Sequence, residues 1–118
     1  MGYPTPVASK EDLFDRAVDL VADGKVEDAV RIYEEALALD ANFADAWQGL
    51  ALACNELGRH EQAIEAAKRL CALTPDEPLA HTTLSRVYQA AGMVPEAEAA
   101  GAQARMADWK RQLKGEGS

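Results

Sequence analysis

Residues 44–77 read ADAWQGLALACNELGRHEQAIEAAKRLCALTPDE, and this stretch decides the fold because its landmarks recur on both sides of it. The glycine at 58 and the alanine five positions later return at a spacing of 34 residues, which gives the pairs Gly24/Ala29, Gly58/Ala63 and Gly92/Ala97. A helical unit repeated at this period predicts a solenoid, in which each unit buries its apolar face against the next. We therefore expect three units, over residues 10–43, 44–77 and 78–111.

Two helices are predicted in each unit, because apolar residues follow helical spacing on both sides of the glycine. Glycine is favoured just past a helix end, and Pro75 and Pro78 mark the break between the second and third units. A capping box formed by Ser9 and Asp12 opens the first helix, which Gly24 ends. The further helices are predicted over about 26–39, 44–57, 60–73, 78–91 and 95–113.

The middle unit resembles the tetratricopeptide repeat through Trp47, Leu50, Ala51, Gly58, Ala63 and Pro75. The first unit matches in register through Leu13, Ala17, Gly24, Ala29, Tyr33 and Ala36, and the third through Leu84, Ser85, Tyr88, Gly92, Ala97 and Ala104. This resemblance over residues 10–111 implies an all-α fold, a right-handed α-solenoid of three antiparallel helix-turn-helix hairpins. We expect one domain over 10–114, a loose lead-in over 1–9 and a frayed tail over 115–118.

Small residues are expected where the two helices of each hairpin cross, at Ala17/Ala29, Ala51/Ala63 and Ser85/Ala97. Tyr33 and Trp47 are predicted to fill the space between hairpins. Ala67 and Gly101 stand where the first unit has the ring of Tyr33, so the sixth helix is thin and rich in alanine. It either caps the solenoid by itself or meets another molecule.

The net charge of −8 argues against nucleic acid as a partner, because phosphates attract basic surfaces. The charge is uneven: the three units carry 4 basic and 10 acidic, 3 and 6, and 4 and 3 residues, for nets of −6, −3 and +1. This gradient is typical of solvated helix faces, or of head-to-tail attraction that favours open assemblies. No apolar stretch could span a membrane and no signal-peptide pattern is seen, so we expect a cytoplasmic protein.

No catalytic, cofactor or metal site is predicted. Cys54 and Cys71 are lone thiols on helices, and His60 and His81 have no cysteine or histidine partner at ligand spacing. The glycines stand singly at helix ends rather than in a phosphate-binding loop. Without convergent titratable groups, the sequence gives no indication of an enzyme.

The resemblance implies that the first helix of each hairpin lines a concave groove. Helical spacing places eight groove residues there: Phe14 and Val18, then Gln48, Leu52 and Asn55, then Thr82, Arg86 and Gln89. The apolar members would form a floor, the amides would bond a peptide backbone, and Arg86 would receive an acidic group or a C-terminal carboxylate. The subtype that holds the carboxylate tails of heat-shock chaperones is not expected, because Phe14 and Val18 replace its Lys and Asn.

The predicted function is therefore a non-enzymatic adaptor that binds a peptide or a disordered protein segment. One alternative is a scaffold that self-associates weakly through the sixth helix. Another is a binding chaperone for secreted subunits, which the sequence cannot separate from the adaptor because both would use the same groove.

Overall fold

The computed structural model describes residues 8–116, and over this range the backbone forms six α-helices joined by turns. They are α1 (Lys10–Ala22), α2 (Val26–Leu39), α3 (Ala44–Glu56), α4 (His60–Leu73), α5 (Pro78–Ala90) and α6 (Val94–Glu116). A shift of 34 residues carries α1 onto α3 and α5, and α2 onto α4. The predicted solenoid of three hairpins is confirmed. Most of the expected lead-in, and residues 117 and 118 of the expected tail, lie outside the described residues; Gly115 and Glu116 are the end of α6.

The first helix of each hairpin ends in the same turn. Gly24, Gly58 and Gly92 have φ values of 80°, 75° and 77°, a left-handed conformation that residues with a Cβ avoid. In the first hairpin, the amides of Gly24 and Lys25 donate to the carbonyls of Val21 (2.9 Å) and Leu20 (2.8 Å). Both bonds recur in the other two hairpins. The repeated glycine therefore reverses the chain three times by one mechanism.

The predicted capping box opens α1. The Ser9 hydroxyl accepts from the Asp12 amide at 3.0 Å, and the Asp12 carboxylate accepts from the Ser9 amide at 3.3 Å. These bonds satisfy two amides at the helix start.

Within each hairpin the two helices cross closely at small residues. The predicted alanines are almost completely buried: Ala17, Ala29, Ala51, Ala63 and Ala97. At the third crossing the hydroxyl of Ser85 donates to the carbonyl of Ala97 at 2.8 Å, so a side chain of one helix touches the backbone of the other. One continuous core runs from Leu13 in the first hairpin to Val87 in the third.

The seams between hairpins are filled by side chains of complementary size. At the first seam Tyr33 is 4% exposed, and its ring lies so close to Gly49 that a Cβ on Gly49 would overlap it. One period later the corresponding residues are Ala67 and Thr83, both buried. A large side chain against none is thus replaced by a small one against one of medium size.

The stack is curved, and the odd-numbered helices lie on the inner side. Between the described residues, α1 contacts α3 and α3 contacts α5, whereas α2, α4 and α6 do not approach one another as closely. The even-numbered helices therefore splay apart on the outer side. This agrees with the expectation that the first helix of each hairpin lines the concave face.

Candidate functional site

The concave face presents its side chains in three tiers across α1, α3 and α5. Because the bounds of these helices are 34 residues apart, the predicted groove residues occupy equivalent positions. The tiers are Phe14/Gln48/Thr82, Val18/Leu52/Arg86 and Val21/Asn55/Gln89. Each tier thus passes from an apolar side chain on α1 to a polar one on α5.

Phe14 belongs as much to the core as to the groove. Its ring centroid lies 6.0 Å from that of Tyr33 and 5.5 Å from that of Phe43. The ammonium of Lys10 stands 5.2 Å from the Phe43 centroid and bonds the carboxylate of Asp40. The bond to Asp40 raises the pKa of Lys10, and the bond from Lys10 lowers the pKa of Asp40, which also accepts from a backbone amide. A ring cluster and an ion pair therefore close the groove at α1.

In the middle tier the apolar side chains remain accessible. Val18 is 43% exposed and Leu52 is half-buried. Arg86 is exposed on α5 at the equivalent position. A ligand lying across this tier would meet two aliphatic surfaces and then a guanidinium.

The predicted amides have different surroundings. The Oε1 atom of Gln48 accepts from the Thr83 hydroxyl at 2.9 Å, so that oxygen is already used within the fold. The Oδ1 atom of Asn55 is buried and has no hydrogen-bond partner among the described residues, so a bond from Asn55 to a peptide would have to come from Nδ2. Gln48 also lines a cavity of about 330 Å³ at the mouth of the groove, with acidic Asp45 and Glu77 beside it.

The three predicted groove residues on α5 open onto a second cavity, of about 440 Å³, that sequence reasoning missed. It is shared by Thr82, Ser85, Arg86, Gln89, Gly101, Ala104 and Arg105. This cleft lies between α5 and α6, at the end of the stack where no further hairpin follows in the described residues. It contains two guanidinium groups, from Arg86 and Arg105. The predicted groove therefore continues into an open end with positive charge.

The outer side carries two related clefts, which were also not predicted. One of about 460 Å³ lies between α2 and α4, beside Trp47, and one of about 360 Å³ lies between α4 and α6, beside His81. The indole nitrogen of Trp47 donates to the carbonyl of Ala41 at 2.8 Å, and Nε2 of His81 lies 2.7 Å from the carbonyl of Pro75. His81 thus keeps the bond of Trp47 one period later, with Nε2 carrying the hydrogen because a carbonyl only accepts.

Burial accounts for the state of the two thiols. Cys54 is buried in the core, which raises its pKa to about 11, and burial also raises the pKa of half-buried Cys71. A thiol with a raised pKa is a poor nucleophile at neutral pH. Over residues 8–116, no cluster of three His, Cys, Asp or Glu side chains could hold a metal ion. None of the six helices combines the length and the apolarity that a membrane crossing requires.

Solved structures with this fold include proteins that hold other chains. MamA superimposes with a TM-score of 0.84 at 24% identity, over 90% of this chain and 62% of MamA, so the chain spans less than two thirds of that protein. PcrH in complex with the chaperone binding region of PopB gives 0.78 at 24%, over 83% and 79%. The second TPR of Spaghetti (RPAP3), bound to the HSP90 peptide SRMEEVD, gives 0.78 at 19%, over 83% and 91%. No curated protein matched the chain.

These likenesses show the fold alone, and the family follows from a match to the sequence itself. A family model of the tetratricopeptide repeat matches residues 14–78, more than half of the chain. The helix bounds repeat at the same 34-residue period. The chain belongs to the tetratricopeptide repeat family.

Proposed function

We propose that the chain is a non-enzymatic, cytoplasmic interaction module that holds an extended peptide or a disordered protein segment in its concave groove. The observation that carries the proposal is the middle tier, where accessible Val18 and Leu52 lead to the exposed Arg86. Aliphatic side chains favour an apolar residue of the peptide, and a guanidinium favours a carboxylate. PcrH and RPAP3, which share the fold, are each bound to a segment of another protein.

The peptide chemistry can be stated from the tiers. An apolar side chain would contact Val18 and Leu52, and an acidic side chain or a C-terminal carboxylate would lie against Arg86. A peptide with several acidic residues toward α1 is disfavoured, because the first unit carries a net charge of −6 (4 basic and 10 acidic residues over 10–43). We therefore expect a segment with its apolar residue toward α1 and its negative charge toward α5.

A binding chaperone for secreted subunits is the second candidate, and the likeness to PcrH with the chaperone binding region of PopB favours it. It would use the same groove and the same tier. The two roles differ in what happens to the guest, since an adaptor bridges two folded partners and a chaperone keeps one partner unfolded. Hydrogen exchange of a captured full-length partner would separate them.

The test is a selection from a library of random peptides on the purified protein, followed by affinity measurements on the selected peptides. We expect Leu52→Glu and Val18→Glu each to weaken binding about tenfold or more, because a carboxylate would have to be buried against the apolar peptide residue. The matched control is Leu39→Glu, which changes an exposed leucine on α2. It should leave the affinity within about twofold.

Two outcomes would contradict the groove. Selected peptides that bind Leu52→Glu and Val18→Glu as tightly as the parent protein do not lie on the middle tier. Peptides whose binding is lost in Arg69→Glu instead lie in the outer cleft, where Arg69 stands 5.9 Å from the ring of Trp47. Circular dichroism of each variant checks that the helices are intact.

A further inference from the structure

The two ends of the solenoid can be compared position by position, because each seam is built in the same way. The helix α3 packs onto the first hairpin through Ala46, Gly49 and Ala53, and α5 packs onto the second through Ala80, Thr83 and Val87. These six residues are spaced by 34. The positions that face a preceding hairpin are therefore fixed by the structure itself.

In α1 the same three positions are Asp12, Asp15 and Asp19, all exposed. The face that α3 and α5 bury with small or apolar side chains is thus acidic at the start of the stack. A cation, Arg16, follows Asp15 directly in the sequence. On α2 the equivalent face adds Asp28 and Glu35, with Arg31 already bonded to Asp28.

The opposite end carries the receiving surface. The cleft between α5 and α6 is the place where the next hairpin would pack, and the described residues that line it include Arg86 and Arg105 but no acidic side chain. A Cβ built on Gly101 lies 3.6 Å from the hydroxyl of Ser85 and 3.8 Å from a guanidinium nitrogen of Arg105. Gly101 corresponds to Tyr33 and Ala67, whose partners across the seam are Gly49 and Thr83. In a continued stack, the residue placed at Gly101 would be Asp15.

We propose that the start of one copy docks on the open end of another, continuing the 34-residue stack from head to tail. The carboxylate of Asp15 would lie beside Gly101 and pair with Arg105. The Thr82 hydroxyl, which donates to the Pro78 carbonyl at 3.0 Å, would turn to the same carboxylate and repeat the side-chain bond between Thr83 and Gln48. Because the contact joins two different surfaces, it forms open chains rather than closed dimers. Exposed Met106 and Trp109 on α6 would be covered by α2 of the next copy, near Ile32.

Salt dependence is the first test. Sedimentation velocity from micromolar to millimolar protein should show dimers and longer species in about 0.02 M salt, and a shift to monomer in about 0.5 M salt, because the contact is between charged surfaces. A strict monomer across this range in low salt would overturn the proposal. Association that grows stronger with salt would also overturn it, since it would rest on apolar surface alone.

Charge reversal gives the sharper test. Arg105→Glu has an acidic start and a weakened open end, and Asp15→Lys has a weakened start and a basic open end, so each alone should associate about tenfold or more weakly. Mixed in equal amounts, they should recover association, because the new ammonium at the start of one variant then meets the new carboxylate at the open end of the other. Recovery requires the two positions to touch, and a mixture that remains as weak as its components would contradict the proposed register.

The control and the readout keep this test separate from peptide binding. Lys68→Glu reverses one exposed charge on α4, away from both ends, and should leave association unchanged. Neither Asp15 nor Arg105 belongs to the proposed groove tiers, so the library-selected peptides should bind both reversed variants normally. Loss of peptide binding with normal self-association would count against the groove only, and the converse would count against the head-to-tail contact only.

Discussion

At the scale of single residues, the seams depend on pairs that no one unit reveals. The role of Gly49 could not be predicted, because an isolated glycine in a helix looks like a poor helix former until the ring of Tyr33 from the previous hairpin is placed over it. The closely crossing alanines were predictable, because they recur in all three units. What repeats in the sequence can be recognised from it, whereas compensation between two units needs the packed structure.

Two helical glycines should respond in opposite ways to the same substitution. Gly49→Ala places a methyl group into the Tyr33 ring and should lower the free energy of unfolding by about 1–3 kcal/mol. Gly101→Ala meets only ordinary contacts and should raise it by up to about 1 kcal/mol, since alanine is the better helix former. Urea unfolding in high salt, where association is suppressed, measures both. Equal effects of the two changes would show that the seam tolerates a methyl group at Gly49.

At the scale of elements, helix bounds were predictable to within one or two residues, except at the end of α6. Glycine and proline fix the other bounds through turns that repeat in each hairpin. Past Pro95 the glycines at 101 and 115 both lie within α6, which continues to Glu116. A single glycine weakens a helix without necessarily ending it, and sequence alone does not say which occurs.

The ion pair of Lys10 and Asp40 joins the start of α1 to the residue that ends α2, and it should make stability depend on pH. The pKa of Asp40 is lowered, so its contribution is full above the usual carboxyl value of about 3.9 and is lost as the pH falls through the lowered value. The pKa of Lys10 is raised, so its contribution holds below about 10.4 and is lost as the pH rises through the raised value.

The comparison of the parent protein with Lys10→Met measures this dependence. The parent should be the more stable at pH 7, and the difference should shrink toward pH 2 in urea unfolding. Arg31→Met removes an exposed pair within α2 and should have little effect at any pH. A difference between the parent and Lys10→Met that stays constant down to pH 2 would mean that the packing of the Lys10 chain on Phe43, rather than its charge, is responsible.

At the scale of the whole molecule, the middle hairpin has a neighbour on both sides and the outer hairpins have one each. In a linear stack, stability is close to a sum over units and seams, so opening should begin at the ends. The concave face was predictable from the family resemblance. The open end was not, because Arg105 and Gly101 become neighbours of Arg86 only once α5 and α6 pack together.

Amide hydrogen exchange should follow this order. We expect the slowest exchange in α3 and α4, intermediate rates in α1, and the fastest over residues 108–115 of α6, whose side chains are exposed on every face. Mass spectrometry of peptic fragments in high salt measures the gradient without association. A single rate shared by all six helices would show that the stack opens only as one unit.

The unlike seams also bear on how such a protein could be lengthened. A tandem duplication of residues 44–77 would set Ala67 of the first copy against Gly49 of the second, a small residue facing none, and would leave a hole where Tyr33 or Thr83 now fills the space. A longer array could therefore not be spliced from identical modules without repair. Replacing Ala67 by Tyr in the first copy would restore the fit, and the joint would then match the one between the natural first and second hairpins.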